Sequence, residues 1–263
     1  MLKLVATDLD GTLLLGDASL PTETFSVIRA FKRKNVLFCV ASGRQLASLT
    51  ELFAPVADQI LFIAENGALV YDRGEILYQK SIPFAALPDI LSAIRTQPEA
   101  RTLLCCRDCA YAWENDPVFL AECRKYYPRF QLLSSSDEIP MSDPICKIAV
   151  FDGRGSAQFS GKTLPALLPA YRTVTSGKVW CDVSLPDTNK GNALCAARDQ
   201  LGISADECMA FGDYMNDYEL LLACEHSFVP ENGYPPLIEK IGRTVPPNTQ
   251  NGVLQKIKEE FNV

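Results

Sequence analysis

A single histidine, His226, stands in the 263 residues of this chain. That scarcity removes Ser-His-Asp triads, histidine-based phosphatase schemes and histidine-rich zinc centres, which need more imidazole than one side chain supplies. Positive charge is also scarce: 25 Lys and Arg face 32 Asp and Glu, for a formal net charge of −7. Such a surface has no general grip on nucleic acid or anionic membrane, so neither is expected as a partner. An anionic substrate must be drawn in by a local field, from a metal ion or a few well-placed cations. No apolar run approaches the roughly 20 residues that span a bilayer. The short apolar N-terminus lacks the basic leader and long apolar region of a secretory signal.

Ten cysteines are present but scattered, which fits thiols kept reduced and an expected cytoplasmic location. Only "CCRDC" (Cys105, Cys106, Cys109) has metal-like spacing. A structural zinc site needs about four ligands, and no second CxxC or histidine pair completes this one. The segment reads as a strand with incidental thiols.

What the sequence has is alternation. Short apolar runs (LKLVA, VLFCVA, QILFIA) are separated by helical patterns, the first from Thr22 to Lys34, and this predicts a parallel sheet covered on both faces. From Ala68 the texture changes: "ALVYDRGEILYQKSI" alternates and turns at Asp72-Arg73-Gly74, as a hairpin does. Residues 83–186 then mix helices with strand-like runs, and the parallel pattern resumes at Lys190. At this length the chain suits one and a half to two domains. The expected fold is α/β, a doubly wound parallel sheet formed by residues 1–82 and 187–263, with an α+β domain inserted at 83–186.

Asp8 and Asp10 lie one residue apart at the end of the first apolar run, in "TDLDGTLL". Two carboxylates held close repel each other, and burying them costs several kcal/mol unless a positive partner is present. Ligands of doubly wound sheets bind at the carboxyl ends of strands. Three further apolar runs end in small or polar groups there: Ser42 and Gly43, Asn66 and Gly67, and Asp213 with Asn216 and Asp217. Lys190 opens a helix, a position unfavourable for a cation unless an anion partners it. Grouped carboxylates of this kind make an oxygen-rich setting suited to Mg²⁺.

"DLDGT" (8–12), Ser42 in "ASGR", Lys190 in "NKG" and "GDYMND" (212–217) resemble the four motifs of the haloacid dehalogenase-like phosphohydrolases, in order and at family-like spacing. "ENGA" (65–68) before the insertion and "CDVSLPDTNKGNAL" leading out of it resemble the Cof-type branch with its larger α/β cap. The resemblance implies a Mg²⁺-dependent phosphatase acting on a small phosphorylated metabolite, such as a sugar phosphate or phosphorylated cofactor. By analogy, Asp8 would be the nucleophile that becomes an aspartyl-phosphate, and Asp10 the general acid and base. Asp8, the Asp10 carbonyl and Asp213 would hold the metal. Lys190, Ser42, Asn216 and the amides of Leu9 and Gly43 would bind the phosphoryl oxygens. Asp217 would hold Lys190 or a metal-bound water. Arg44 is divided evenly between a phosphate-side contact and a solvated helix residue. Arg107, Asp108, Tyr111, Trp113 and Trp180 are candidate substrate contacts in the cap, by residue type alone.

Three departures from the family pattern concern substrate shape: Tyr214 in place of a small residue, Gly233 in "PENG", and Asn251 in "TQNGV". "FDGRGSAQFSGKT" (151–163) imitates a phosphate-binding P-loop, but the first required glycine position is Ser156. The alternatives to a phosphatase are a phosphotransferase or mutase of the same superfamily, and a ligand-binding regulator that has lost turnover.

Overall fold

The computed structural model describes all residues from Met1 to Val263. Its strands are β1 (Leu4–Thr7), β2 (Leu37–Ala41), β3 (Ile60–Ala64), β4 (Leu69–Asp72), β5 (Glu75–Gln79), β6 (Ala100–Cys106), β7 (Ala110–Ala112), β8 (Phe130–Leu132), β9 (Ile145–Asp152), β10 (Arg172–Thr175), β11 (Trp180–Ser184), β12 (Cys208–Phe211), β13 (His226–Pro230) and β14 (Thr244–Val245). Its helices are α1 (Thr24–Lys34), α2 (Leu46–Leu52), α3 (Leu87–Arg95), α4 (Pro117–Tyr126), α5 (Ser160–Leu167), α6 (Lys190–Leu201), α7 (Tyr218–Leu222), α8 (Pro235–Ile241) and α9 (Gly252–Phe261). The chain divides into two compact units, one of residues 1–42, 52–78 and 189–263, the other of 43–51 and 79–188.

The first unit is built on an eight-stranded sheet ordered β14-β13-β12-β1-β2-β3-β4-β5. Its six strands from β14 to β3 run parallel, and β4 pairs antiparallel to β3. The apolar runs are continuous because both faces are covered. On one face Leu4, Ala6, Cys39, Leu61 and Ile63 pack with Leu194 and Ala197 of α6 and Leu220 and Leu221 of α7. On the other, Phe38 meets Phe31 of α1, which in turn meets Phe261 of α9. Each fully buried side chain of this size contributes about 1.5–3 kcal/mol. The strand order places β1 between β12 and β2, so the turns after these three strands share one edge of the sheet.

The second unit has a six-stranded sheet, β10-β11-β9-β6-β7-β8, antiparallel except for the β7–β8 pair. Cys105 and Cys106 end β6 with their side chains in different hydrophobic clusters, Cys106 beside Ile148 and Cys105 beside Phe119. Adjacent residues of a strand face opposite sides, so these two thiols diverge. A buried ion pair, Lys147 Nζ to Asp182 Oδ2 at 2.9 Å, links β9 to β11. Lys147 also donates to the Gly43 carbonyl at 2.9 Å.

The division of the chain differs from the expected one at residues 43–51 and at the two junctions, where 79–82 and 187–188 also fall in the second unit. Residues 43–51 group with 79–188 and not with the parallel sheet. The Gln45 amide explains this, because it donates to the Arg129 carbonyl at 3.1 Å and accepts from the Arg129 N–H at 3.2 Å. The strands β7 and β8, of three residues each, carry too little periodicity to read, and β10 is only half-buried and lacks the apolar run that marks β1 and β12. The P-loop look-alike leads into α5, whose N-terminal end is satisfied internally. The Asp152 carboxylate accepts from the Arg154 N–H and guanidinium and from the Ser160 amide, which holds it below the usual carboxylate range.

Candidate active site

After β1 the chain stays extended through Asp8 and then kinks: Asp10 has φ −73° and ψ 117°, and Gly11 has φ 83°. A Cβ on Gly11 would lie 2.4 Å from Asp213 Oδ2, so only glycine lets the backbone pass this close to that carboxylate. The next residue, Thr12, donates its hydroxyl to Asp213 Oδ1 at 2.8 Å. One turn thus supplies Asp8 and sets Asp213.

Lys190 lies at the start of α6, capped by the Asn189 side chain, which accepts from Asn192 N at 2.7 Å. It is 1 % exposed, and its Nζ donates to Asp8 Oδ1 at 2.5 Å and Asp217 Oδ1 at 2.6 Å. The other oxygen of Asp217 accepts from the amides of Asp213 and Tyr214, at 3.0 and 3.2 Å. Both Asp217 oxygens are therefore engaged, one with the ammonium and one with the backbone that presents Asp213.

Carboxylate oxygens of Asp8, Asp213 and Asp217 lie within 4.8 Å of one another. Three carboxylates share this space with one ammonium, and their protonation reflects it. Burial raises Asp8 well above the ordinary carboxylate value; Lys190 opposes this, while Asp217 and Asp213 add to it. Asp213 is pushed up to about 6, by burial first and by the charge of Asp217 second, against the Thr12 hydrogen bond. Burial alone would lower Lys190, but Asp217 and Asp8 keep its ammonium more strongly protonated than an ordinary lysine. One ammonium is less positive charge than three carboxylates call for, and the site's donors are hard oxygens, the set that a cation such as Mg²⁺ takes.

The family model of the haloacid dehalogenase-like hydrolases matches residues 5–257. The chain belongs to this family. Among its curated relatives is the 5-amino-6-(5-phospho-D-ribitylamino)uracil phosphatase of Escherichia coli K12, 27% identical over 97% of this chain and 95% of that protein. Another is the HMP-PP phosphatase of Cronobacter sakazakii, 26% identical over 92% of this chain and 88% of that protein. A crystal structure from Eubacterium rectale superposes with a TM-score of 0.87 at 28% identity, over 99% of each chain. The haloacid dehalogenase-like chain described here is an enzyme, a phosphatase of this family.

The hydrolase brings together Asp8, Lys190, Asp213 and Asp217 from three of its four motifs. Asp217, expected to hold Lys190 or a metal-bound water, accepts from Lys190 and lies in the carboxylate cluster, whereas the Asp10 side chain lies outside that cluster and is exposed. Leu9 is buried, and Asn216 is half-buried in the short turn Met215–Asp217. Ser42 is buried in the first unit, whereas Gly43 and Arg44 belong to the second. Thr12 closes the "DLDGT" motif but was assigned no role, and its bond to Asp213 supplies one.

In the second unit, two of the expected substrate contacts are buried. Trp180 is 8 % exposed and packs on Phe119 and Phe151, and Tyr111 is 6 % exposed among apolar neighbours. Both lie in strands whose two faces are buried. Trp113 packs partly buried on the same cluster as Tyr111. Arg107 and Asp108 pair with each other at 2.8 Å on the surface. The residue that organises their loop, Asp143, was missed. Its carboxylate accepts from the amides of Asp108 and Cys109, at 3.0 and 3.1 Å, and from the Tyr111 hydroxyl at 3.2 Å.

Proposed function

We propose that this phosphatase is Mg²⁺-dependent and hydrolyses a small phosphomonoester through an aspartyl-phosphate on Asp8. The observation that carries the reading is the buried Lys190, held between Asp8 and Asp217 with Asp213 close by. Asp8 and Asp213 would hold the metal, because both Asp217 oxygens already serve Lys190 and the Asp213 loop. When bound, the cation neutralises charge between the carboxylates and an incoming phosphate.

Asp8 attacks phosphorus, the phosphoryl group passes to its carboxylate, and the leaving oxygen departs. Asp10, exposed two residues on, gives that oxygen its proton and later takes one from the water that cleaves the acyl-phosphate. Lys190 offsets negative charge on the transferring oxygens, and the Ser42 hydroxyl binds one of them. The relatives point to the substrate class, since one acts on a phosphorylated ribitylamino-uracil. We place this chain with phosphatases of small phosphorylated metabolites of that kind.

The test is phosphate release from a panel of phosphomonoesters, with and without Mg²⁺, for wild type beside Asp8→Asn. Turnover that requires the metal and disappears in Asp8→Asn is expected. Equal turnover by the two proteins would overturn the assignment of Asp8.

A further inference from the structure

Three consecutive residues between β3 and β4 adopt the left-handed conformation: Glu65 at φ 50°, Asn66 at φ 56° and Gly67 at φ 97°. A tight strand reversal needs at most two such residues, and two of these three carry a Cβ that disfavours it. Glu65 is also buried, which is unusual for a carboxylate in a turn. Backbone held this way persists only where its surroundings over-determine it, and it gathers at functional sites.

The surroundings are the two groups proposed to hold the phosphoryl oxygens. On one side, Ser42 is gripped through its backbone: its N–H donates to the Ile63 carbonyl at 2.9 Å, and its carbonyl accepts from the Asn66 N–H at 3.0 Å. On the other side, Gly67 lies against the peptide that opens α6. A Cβ on Gly67 would fall 2.2 Å from the Asn189 carbonyl oxygen and 2.8 Å from the Lys190 backbone nitrogen. Any side chain there would displace the residue that carries the ammonium. The Asn189 carbonyl is in turn the acceptor for Ala193 N at 3.2 Å, so the start of α6 rests on this contact.

We propose that Glu65-Asn66-Gly67 is a positioning element that sets the Ser42 backbone and the first residue of α6 in register, with Gly67 the residue that places Lys190. Asn66 holds Ser42 through a main-chain hydrogen bond, and Gly67, one peptide later, holds Lys190 through close packing. The element touches neither phosphorus nor metal and acts through those two residues. The inference rests on the phosphatase reading above for the meaning of Ser42 and Lys190.

The experiment uses the full chain and two comparisons. Gly67→Ala is expected to lower kcat about a hundredfold, the cost of misplacing a reacting group by about an ångström, in protein that still unfolds cooperatively. Acylation of surface amines followed by peptide mass analysis should show Lys190 protected in wild type and labelled in Gly67→Ala, while the labelling of other lysines is unchanged. Asn66→Gly and Asn66→Ala both lose the amide side chain, but only glycine keeps the left-handed turn without strain. Asn66→Gly is expected to exceed Asn66→Ala severalfold in kcat and to bind inorganic phosphate more tightly. Equal values for the two Asn66 variants would overturn the proposal, as would a Gly67→Ala protein with wild-type kcat and a protected Lys190. If Gly67→Ala does not fold, the Asn66 pair decides. Wild type that releases no phosphate fails the phosphatase reading, whereas the labelling comparison still reports whether Gly67 places Lys190.

Discussion

Lys190 is the residue on which the site's electrostatics turn. A fully buried ammonium is tolerable only because two carboxylates accept from it, and removing it leaves those carboxylates facing each other and Asp213. Lys190→Met is expected to lower kcat by about a hundredfold to a thousandfold, the usual loss when one charge-stabilising donor is removed. Steady-state kinetics beside a circular dichroism check would show this. Lys190→Arg should recover little, because a planar fork does not replace a point charge between two carboxylates. Retention of more than about a tenth of the activity in Lys190→Met would count against the assigned role.

Asp213 gives the site a pH dependence with a definite sign. Its folded-state value is pushed up to about 6 from 3.8, so between these values the native protein holds a proton that the unfolded chain has lost. Stability contributed by this group therefore falls as pH rises through that window, and Asp8, also raised, acts in the same direction. Mg²⁺ needs the ionised carboxylates. Added Mg²⁺ is thus expected to raise the melting temperature at about pH 8 and to do little at about pH 5. Thermal unfolding with and without the metal measures this, and equal shifts at the two pH values would contradict it.

At the scale of elements, the second unit depends on a polar link within an apolar sheet. Lys147 on β9 and Asp182 on β11 are 4% and 6% exposed at their side chains, and Lys147 further reaches the Gly43 carbonyl. Breaking a pair this deep leaves one charge buried and alone. Lys147→Met should cost about 3–5 kcal/mol in urea unfolding, and adding Asp182→Asn should return much of it. A loss below about 1 kcal/mol would mean that the pair behaves like an exposed one. The helix α1 ends where apolar periodicity placed it and begins within two residues of the expected start. Its buried face, Val27, Ile28 and Phe31, is a local pattern, and local pattern is what periodicity reads. The strands β7, β8 and β10 are defined by their neighbours in the sheet, and no short window contains those neighbours.

For the whole molecule, the order of elements alone implied a parallel sheet interrupted by an insertion. Strands fully buried on both faces must be apolar throughout, and crossover helices must separate parallel neighbours. The motif residues Asp8, Lys190, Asp213 and Asp217 were legible for a related reason, because charge at the end of a buried strand or helix start is costly without a partner. Distance along the chain carries no information about which of these groups touch. Thr12 and Asp213 are 201 residues apart and share a hydrogen bond, and Asp8 and Lys190 are 182 apart and share an ion pair. Tryptophan and tyrosine in a strand look the same in sequence whether they are exposed or buried, so only packing shows that Trp180 and Tyr111 are buried. The same holds for residues 43–51, which sequence order assigns to the parallel sheet and which the bonds of Gln45 and Gly43 join to the other unit. The sequence by itself determined which chemical groups are present and which strands and helices carry them, because burial and periodicity act locally. Tertiary structure alone decided which groups meet, because contacts between distant residues depend on how the sheets close.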